Sequence, residues 1–228
     1  AELPADFSGG FVRVMTKNIP DGNTFNVSYQ MGFNTNATFR NFQLTDGTAK
    51  DYLGFGAGVR NLPSSFPAHL GEHSTDEAAA FTRQINQRWG INKFTAIPDQ
   101  KISLTSHRSY DVGGWKIGNI TNLNWSTGYD YSETVNNNYI AYDVKNDVSR
   151  PRFEYNDIRY KNTSKLGALF NWSFQRDGSK YEHRNFFSQR GVSALTQREG
   201  MNYYSDKDIR KWESLYTGRT TYSGQISG

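Results

Sequence analysis

The chain has 228 residues, no cysteine, and a formal charge of +4 from 26 basic and 22 acidic residues scattered without a basic run. The missing cysteines exclude a disulfide scaffold and thiolate chemistry, and the scattered charge argues against nucleic acid as a partner. The apolar content sits in rings, with 15 Phe, 14 Tyr and 5 Trp in a chain of mean hydropathy −0.76. That profile suits an antiparallel sheet that is greasy only at alternate positions and carries aromatic girdles; a compact aliphatic core would need more Leu, Ile and Val.

No run approaches the 18 or so consecutive apolar residues that a membrane-spanning helix requires, whereas strands of roughly 10 alternating residues also span. No signal peptide is read at the start. Ala1 and the strand-like run at Ser227-Gly228 give the expectation that both ends are cut.

In chain order, the first strong signal is at 24–34, where Phe25, Val27, Tyr29, Met31 and Phe33 alternate with Asn26, Ser28, Gln30, Gly32 and Asn34. This is period 2 without an error and predicts a half-buried strand. Residues 35–100 read as a long polar loop holding one helix. Ser74 and Glu77 form a capping box ahead of Ala78, Phe81, Ile85 and Trp89, and Gly90 supplies the stop. Strands are then expected at 101–110 (Ile102, Leu104, Tyr110) and at 115–132. In the second, Trp115, Ile117, Leu123, Trp125, Tyr129 and Tyr131 share a face opposite Lys116, Asn122, Asn124, Ser126 and Asp130, with Ile120 the exception. At 165–175, Leu166, Ala168, Phe170, Trp172 and Phe174 oppose Lys165, Gly167, Asn171, Ser173 and Gln175, with Leu169 out of phase. Two further strands are expected at 181–192 (Tyr181, Phe187) and 212–226 (Trp212, Tyr216, Tyr222, Ile226). Short turns at Asp111–Gly114 and Arg176–Ser179 alternate with long polar connections at 35–100, 134–161 and 194–210, which is the outer-membrane barrel pattern.

Several constellations carry chemistry elsewhere and are read here as bland. His69-Leu-Gly-Glu-His73 fits a zinc-peptidase pattern that needs a helix, but Pro67, Gly71 and the cap at Ser74 make it extended or turning, so a solvated loop is expected. Gly54-Phe-Gly-Ala-Gly58 lacks dinucleotide spacing and reads as a flexible outer loop. Nothing fixes the separation of Glu154, Asp157, Asp206 and Asp208 as a glycosidase pair. Asn124-Trp-Ser126 and Asn171-Trp-Ser173 fall within predicted strands and read as composition. No catalytic, metal or cofactor residue is assigned, no cofactor is expected, and no enzyme activity is expected. Trp115, Trp125, Tyr129, Tyr131, Trp172 and Phe174 are expected to face lipid or headgroups. The loop rings Phe55, Phe66 and Tyr204 are candidates for stacking on a ligand.

The stretch Asp6-Phe-Ser-Gly-Gly-Phe-Val-Arg-Val-Met-Thr-Lys17 resembles the motif that closes the plug of TonB-dependent outer-membrane receptors, followed by Asn18-Ile-Pro-Asp21 as a link to the barrel. Asp51-Tyr-Leu-Gly-Phe-Gly-Ala-Gly-Val-Arg-Asn-Leu-Pro63 is similar to an outer-loop segment of the subgroup with a carboxypeptidase-regulatory-like N-terminal domain. So are the run Asn92–Leu104, Leu215, and Ser223-Gly-Gln-Ile-Ser-Gly228. The resemblance implies an all-β fragment: residues 1–22 end a plug domain and 23–228 begin an antiparallel transmembrane barrel, of which about six strands are present. Six cannot close a plugged lumen, which takes about 22. It further implies energised import of a nutrient (glycan, peptide or iron chelate) across the bacterial outer membrane. The implied partners are the TonB energy-transducing complex, a surface lipoprotein, outer-membrane lipid and a small-molecule or glycan substrate. Which residues hold that substrate is left open. The alternatives are a passive porin-like channel and a secreted carbohydrate-binding β protein.

Overall fold

A computed structural model describes residues 19–85 and 90–228. In chain order the elements are β1 (Thr24–Gly32), β2 (Asn41–Thr45), α1 (Thr75–Arg83), β3 (Ile91–Thr95), β4 (Asp99–Val112), β5 (Trp115–Asp143), β6 (Val148–Arg176), β7 (Ser179–Asn202) and β8 (Lys207–Ser227), with three short 3-10 turns between β2 and α1. The protein is mostly antiparallel β. Six strands form one sheet in the order β1-β4-β5-β6-β7-β8, and β2 pairs with β3 apart from it. The sheet is a meander whose one interruption is the 33–98 insertion between β1 and β4. It is open, with β1 and β8 as its two edges. The plug-like run Asp6–Lys17 lies outside the described residues.

Two connections have the chemistry their residues dictate. Gly113 and Gly114 take φ values of 58° and 80°, and Asp177 and Gly178 take 49° and 81°. Both central residues of a type I′ hairpin need positive φ, which Gly supplies without a Cβ clash and Asp tolerates.

The expected loops 134–161 and 194–210 are corrected. β5 and β6 run 29 residues each and β7 runs 24, and tight turns at 144–147 and 203–206 close the far ends. At about 3.3 Å per residue the β5–β6 hairpin is about 95 Å long, some three times a membrane-spanning strand. Sequence alternation vanishes there because both faces of the extension are mostly exposed, Tyr155 excepted, and the backbone ladder needs no apolar pattern to continue. Pro151 sits where the β5–β6 register shifts, opposite Tyr139, which is where a residue lacking an N–H is tolerated in a strand.

The predicted helix begins as expected. Ser74 N–H donates to the Glu77 carboxylate (3.0 Å), and Ser74 Oγ accepts from Glu77 N–H (3.4 Å). It stops at Arg83, not at Gly90. No residue of α1 is buried, so packing adds nothing to extend a nine-residue helix that would be marginal alone. Trp89 lies outside the described residues.

The core is assembled by the insertion, which lies against one face of the sheet. Phe42 of β2 is fully buried and meets Tyr129 and Tyr160 edge-on, with centroids 5.3 and 5.2 Å away. Phe94 of β3, directly opposite Phe42 in register, completes the cluster with Ala37 and Ala96. β2 and β3 escaped sequence reading because five residues hold too few periods to distinguish a strand from a loop.

Candidate functional site

Register divides the sheet into two faces. Odd positions of β1, β5 and β7 and even positions of β4, β6 and β8 share one face, since Tyr29 pairs with Ile102, Ile102 with Trp125, Trp125 with Leu166, Leu166 with Gln189, and Gln189 with Thr220. On this face, towards the two glycine turns, apolar side chains stand uncovered on all six strands. Phe25, Val27, Tyr29 and Met31 on β1, Ile102 and Tyr110 on β4, Leu123 on β5, Phe170 on β6, Tyr181 on β7 and Tyr222 on β8 are all exposed. On β5 this face runs Trp115, Ile117, Asn119, Thr121 and Leu123, with Asn119 buried and Leu123 exposed, about nine residues, the length that crosses a bilayer in a tilted strand.

Beyond that band the insertion covers the same face. Trp125 donates its indole N–H to Tyr52 O at 2.6 Å, and Gln189 donates its amide to Gly54 O at 2.5 Å. Tyr129 is buried under Phe42, and Tyr131 packs edge-on to Tyr160. The expectation that Trp125, Tyr129 and Tyr131 face lipid is therefore corrected, because their outward face is occupied by this chain's own backbone and rings. Trp115, Trp172 and Phe174 remain within the uncovered band. Trp115 lies near Tyr181 (6.2 Å) and the Arg176 guanidinium (5.9 Å), and Trp172 stacks on Phe174 (6.1 Å).

Between insertion and sheet lies a chamber of about 310 Å³, lined on one side by Thr45, Thr48, Tyr52, Asn92 and Phe94 and on the other by Tyr129, Asn162 and Ser193. Its sheet side rests on a ladder of small polar residues. Asn162 donates to the Thr127 hydroxyl (3.1 Å) and to Gly128 O (3.0 Å), and the Thr127 and Ser164 hydroxyls bond at 3.2 Å. Buried polar groups persist only when so satisfied. Burial pushes the Tyr129 phenol up to about 12, with Tyr52 and Asp99 adding to the effect. Hydroxyls, amides and three rings make the chamber a place for hydrogen bonding and stacking on a polar guest.

A clasp holds the insertion down. Arg60 makes a two-pronged bond to Asp51 (2.7 and 3.1 Å), donates to Gly56 O (2.8 Å) and lies over the Tyr216 ring at 4.3 Å. The Tyr216 hydroxyl accepts the Gly56 N–H at 2.8 Å. Gly54 has φ of 83°, and a Cβ there would stand 2.8 Å from Gly191 N. The run Gly54–Gly58 is thus clasped to the sheet rather than a free loop, and Gly54 lets backbone approach backbone at Gly191. Asp51 and Arg60 lie in the receptor-like run 51–63, but nothing in their spacing announces an ion pair.

The other weighed residues fall apart spatially. Leu70–Glu72 forms a single 3-10 turn between His69 and His73, and His73 leans on Phe81 (5.2 Å) and Glu77 (3.8 Å). Among the described residues no three His, Asp or Glu side chains converge as a metal site would need. Glu154 and Asp157 lie on opposite faces by parity. Glu154 accepts from the Tyr203 hydroxyl (2.8 Å), and Asp157 takes a two-pronged bond from Arg198 (2.6 and 2.7 Å). Asp206 occupies a turn at φ 49° and Asp208 follows in β8. Asn124 and Asn171 lie within β5 and β6, as expected. Of the candidate stacking rings, Phe55 already stacks on Phe187 (6.4 Å), Phe66 meets Phe81 edge-on (6.3 Å), and Tyr204 lies under Arg152 (5.6 Å).

The chain was compared with family models, curated proteins and solved structures, and nothing in the three sets matches it.

Proposed function

We propose that this chain is part of the wall of a transmembrane β-barrel, in an outer-membrane receptor of the TonB-dependent class that imports a nutrient by energised uptake. The observation that carries the reading is the uncovered apolar band across all six strands, about as tall as a bilayer core, ending where the chain's own insertion takes over the same face. A water-soluble sheet leaving that much contiguous apolar surface bare would aggregate, whereas lipid satisfies it. The opposite face is mostly polar (Asn26, Ser28, Gln30, Ser103, Asn122, Asn124, Ser126), as a lumen requires, with Ile120, Leu169 and Phe186 as apolar exceptions. Tyr110, Trp115 and Tyr181 beside Lys116, Arg176 and Lys180 at the turn end have the composition of a headgroup belt. The word receptor rests on the resemblance of residues 6–17 and 51–63. Uptake on this reading is a conformational gate driven through the TonB complex, with a glycan, peptide or iron chelate as cargo and a surface lipoprotein as helper.

Single-tryptophan variants of the chain, refolded into vesicles of brominated lipid, test the membrane reading. Trp115 and Trp172 are expected to be quenched, while Trp125 and Trp212 stay bright. A chain that is monodisperse in water without amphiphile, with no quenched tryptophan in vesicles, would falsify it.

A further inference from the structure

One row of the polar face sets cation opposite cation with no acid in the row. Following register across the sheet, Gln30 of β1 pairs with Lys101 of β4, Lys101 with Ser126 of β5, Ser126 with Lys165 of β6, Lys165 with Arg190 of β7, and Arg190 with Arg219 of β8. Three successive strands thus place a cation directly opposite a cation, and a fourth cation stands two strands away. All four are exposed. Like charges directly opposite each other destabilise a sheet. Several cations elsewhere on the same face sit beside acids: Lys161 on Asp130 (2.6 Å), Lys180 and Arg184 on Glu182 (2.7 and 2.5 Å), and Arg198, which also faces Lys211, on Asp157 (2.6 Å). No described carboxylate pairs with Lys101, Lys165, Arg190 or Arg219. The nearest acid along the chain, Asp99 at the Lys101 end, accepts the Tyr129 backbone N–H at 2.9 Å.

The neighbouring row is neutral and rich in hydrogen-bonding groups. Ser103, Asn124, Gly167, Ser188 and Thr221 pair in register one step nearer the glycine turns. A shallow hollow of about 330 Å³ opens over Gln30, Asp99, Lys101, Ser126, Gly128 and Lys165, with the Asp99 carboxylate engaged by the Tyr129 N–H. With strands about 4.8 Å apart, the four cations from β4 to β8 span about 19 Å.

We propose that this row is a binding track for an acidic saccharide, one whose sulfate or carboxylate groups repeat along about 19 Å of chain. The cations neutralise the oxyanions, and the guanidinium groups of Arg190 and Arg219 hold them two-pronged. The serine, asparagine and threonine row bonds the sugar hydroxyls. The unfavourable cation-on-cation register is then the cost of a site whose counter-charges arrive with the ligand. The proposal rests on the sheet register alone and stands whether or not the opposite face meets lipid.

The test is titration calorimetry on the full chain in detergent, with a heparin-derived tetrasaccharide, neutral maltotetraose and inorganic tripolyphosphate as probes. The sulfated sugar is expected to bind, the neutral one not to bind, and tripolyphosphate to bind at least tenfold more weakly than the sulfated sugar. The triple variant Lys165→Gln, Arg190→Gln, Arg219→Gln is expected to lose at least tenfold in affinity and to melt no lower than the parent. Arg190→Gln alone gives the same direction should the triple variant misfold. The control Arg83→Gln, Lys145→Gln, Lys207→Gln, with the same loss of charge elsewhere, is expected to bind within twofold of the parent. Unchanged affinity in the row variants, an equal loss in the control, or tripolyphosphate binding as tightly as the sugar overturns the proposal. None of these results bears on the tryptophan quenching above.

Discussion

The two halves of the same sheet face solve the problem of apolar surface in opposite ways. Towards the glycine turns, Phe25, Val27, Leu123, Phe170 and Tyr222 stand uncovered on neighbouring strands. Farther along the strands, Tyr129, Tyr160 and Leu195 are buried, and the cover over the two tyrosines is built from residues 33–98 of the same chain. A side chain in the second half draws its stability from packing within the protein, one in the first half from whatever solvent surrounds the sheet. Substitutions in the two halves should therefore respond differently to a change of solvent.

The largest effect is expected in the covered half. Phe42→Ala removes the ring that Tyr129, Tyr160 and Phe94 close upon and should destabilise the insertion by about 3–5 kcal/mol, read by denaturant melts in detergent and in vesicles alike. In the uncovered half, Phe170→Arg should cost about 2–4 kcal/mol in vesicles, as an arginine does near a bilayer midplane, and less in detergent micelles, where the long side chain reaches water more readily. Equal costs in both media would abolish the distinction between the halves. Gly54→Ala should cost about 1–2 kcal/mol from the left-handed backbone alone, and more if Gly191 cannot yield, with the loss visible as faster proteolysis between Asp46 and Arg60.

The smallest effect lies at the far end of the hairpins. The Arg198 guanidinium bonded to Asp157 holds that carboxyl below its ordinary value, against some desolvation. A depressed folded value means the pair's contribution is present above the unfolded value near 3.8 and fades as pH falls through the folded one. Hydrogen exchange at the β6–β7 tip should rise in acid, and Asp157→Asn should remove that dependence while leaving the band untouched.

All six sheet strands were legible, because their period-2 runs reflect a single face that must be apolar. Their true lengths were not, since past Tyr131 and Tyr160 both faces are wet and the alternation that marks a strand carries no energetic reward. The assignment of faces was legible too, but which part of the apolar face stays uncovered was not. Trp115 and Trp125 look identical in a dyad pattern, and only the placement of Tyr52, 73 residues earlier in the chain, separates them. The capping box of α1 was legible because it is local, and its end was not because Gly90 offered a stop that no packing required. The chamber and the cation row were hidden for the same reason: each is assembled from residues on different strands, and register is not written in any one of them.

The free edge of β8 is uneven along its length. Its first half carries Lys207, Asp208, Arg210, Lys211 and Glu213, the charges that keep an exposed strand from joining its like. From Thr220 to Ser227 there is no charge at all, and this uncharged stretch borders the uncovered band. Two copies of the chain brought together in water would join edge to edge here first, so the uncharged half of this edge, beside the apolar band, is the seed of aggregation.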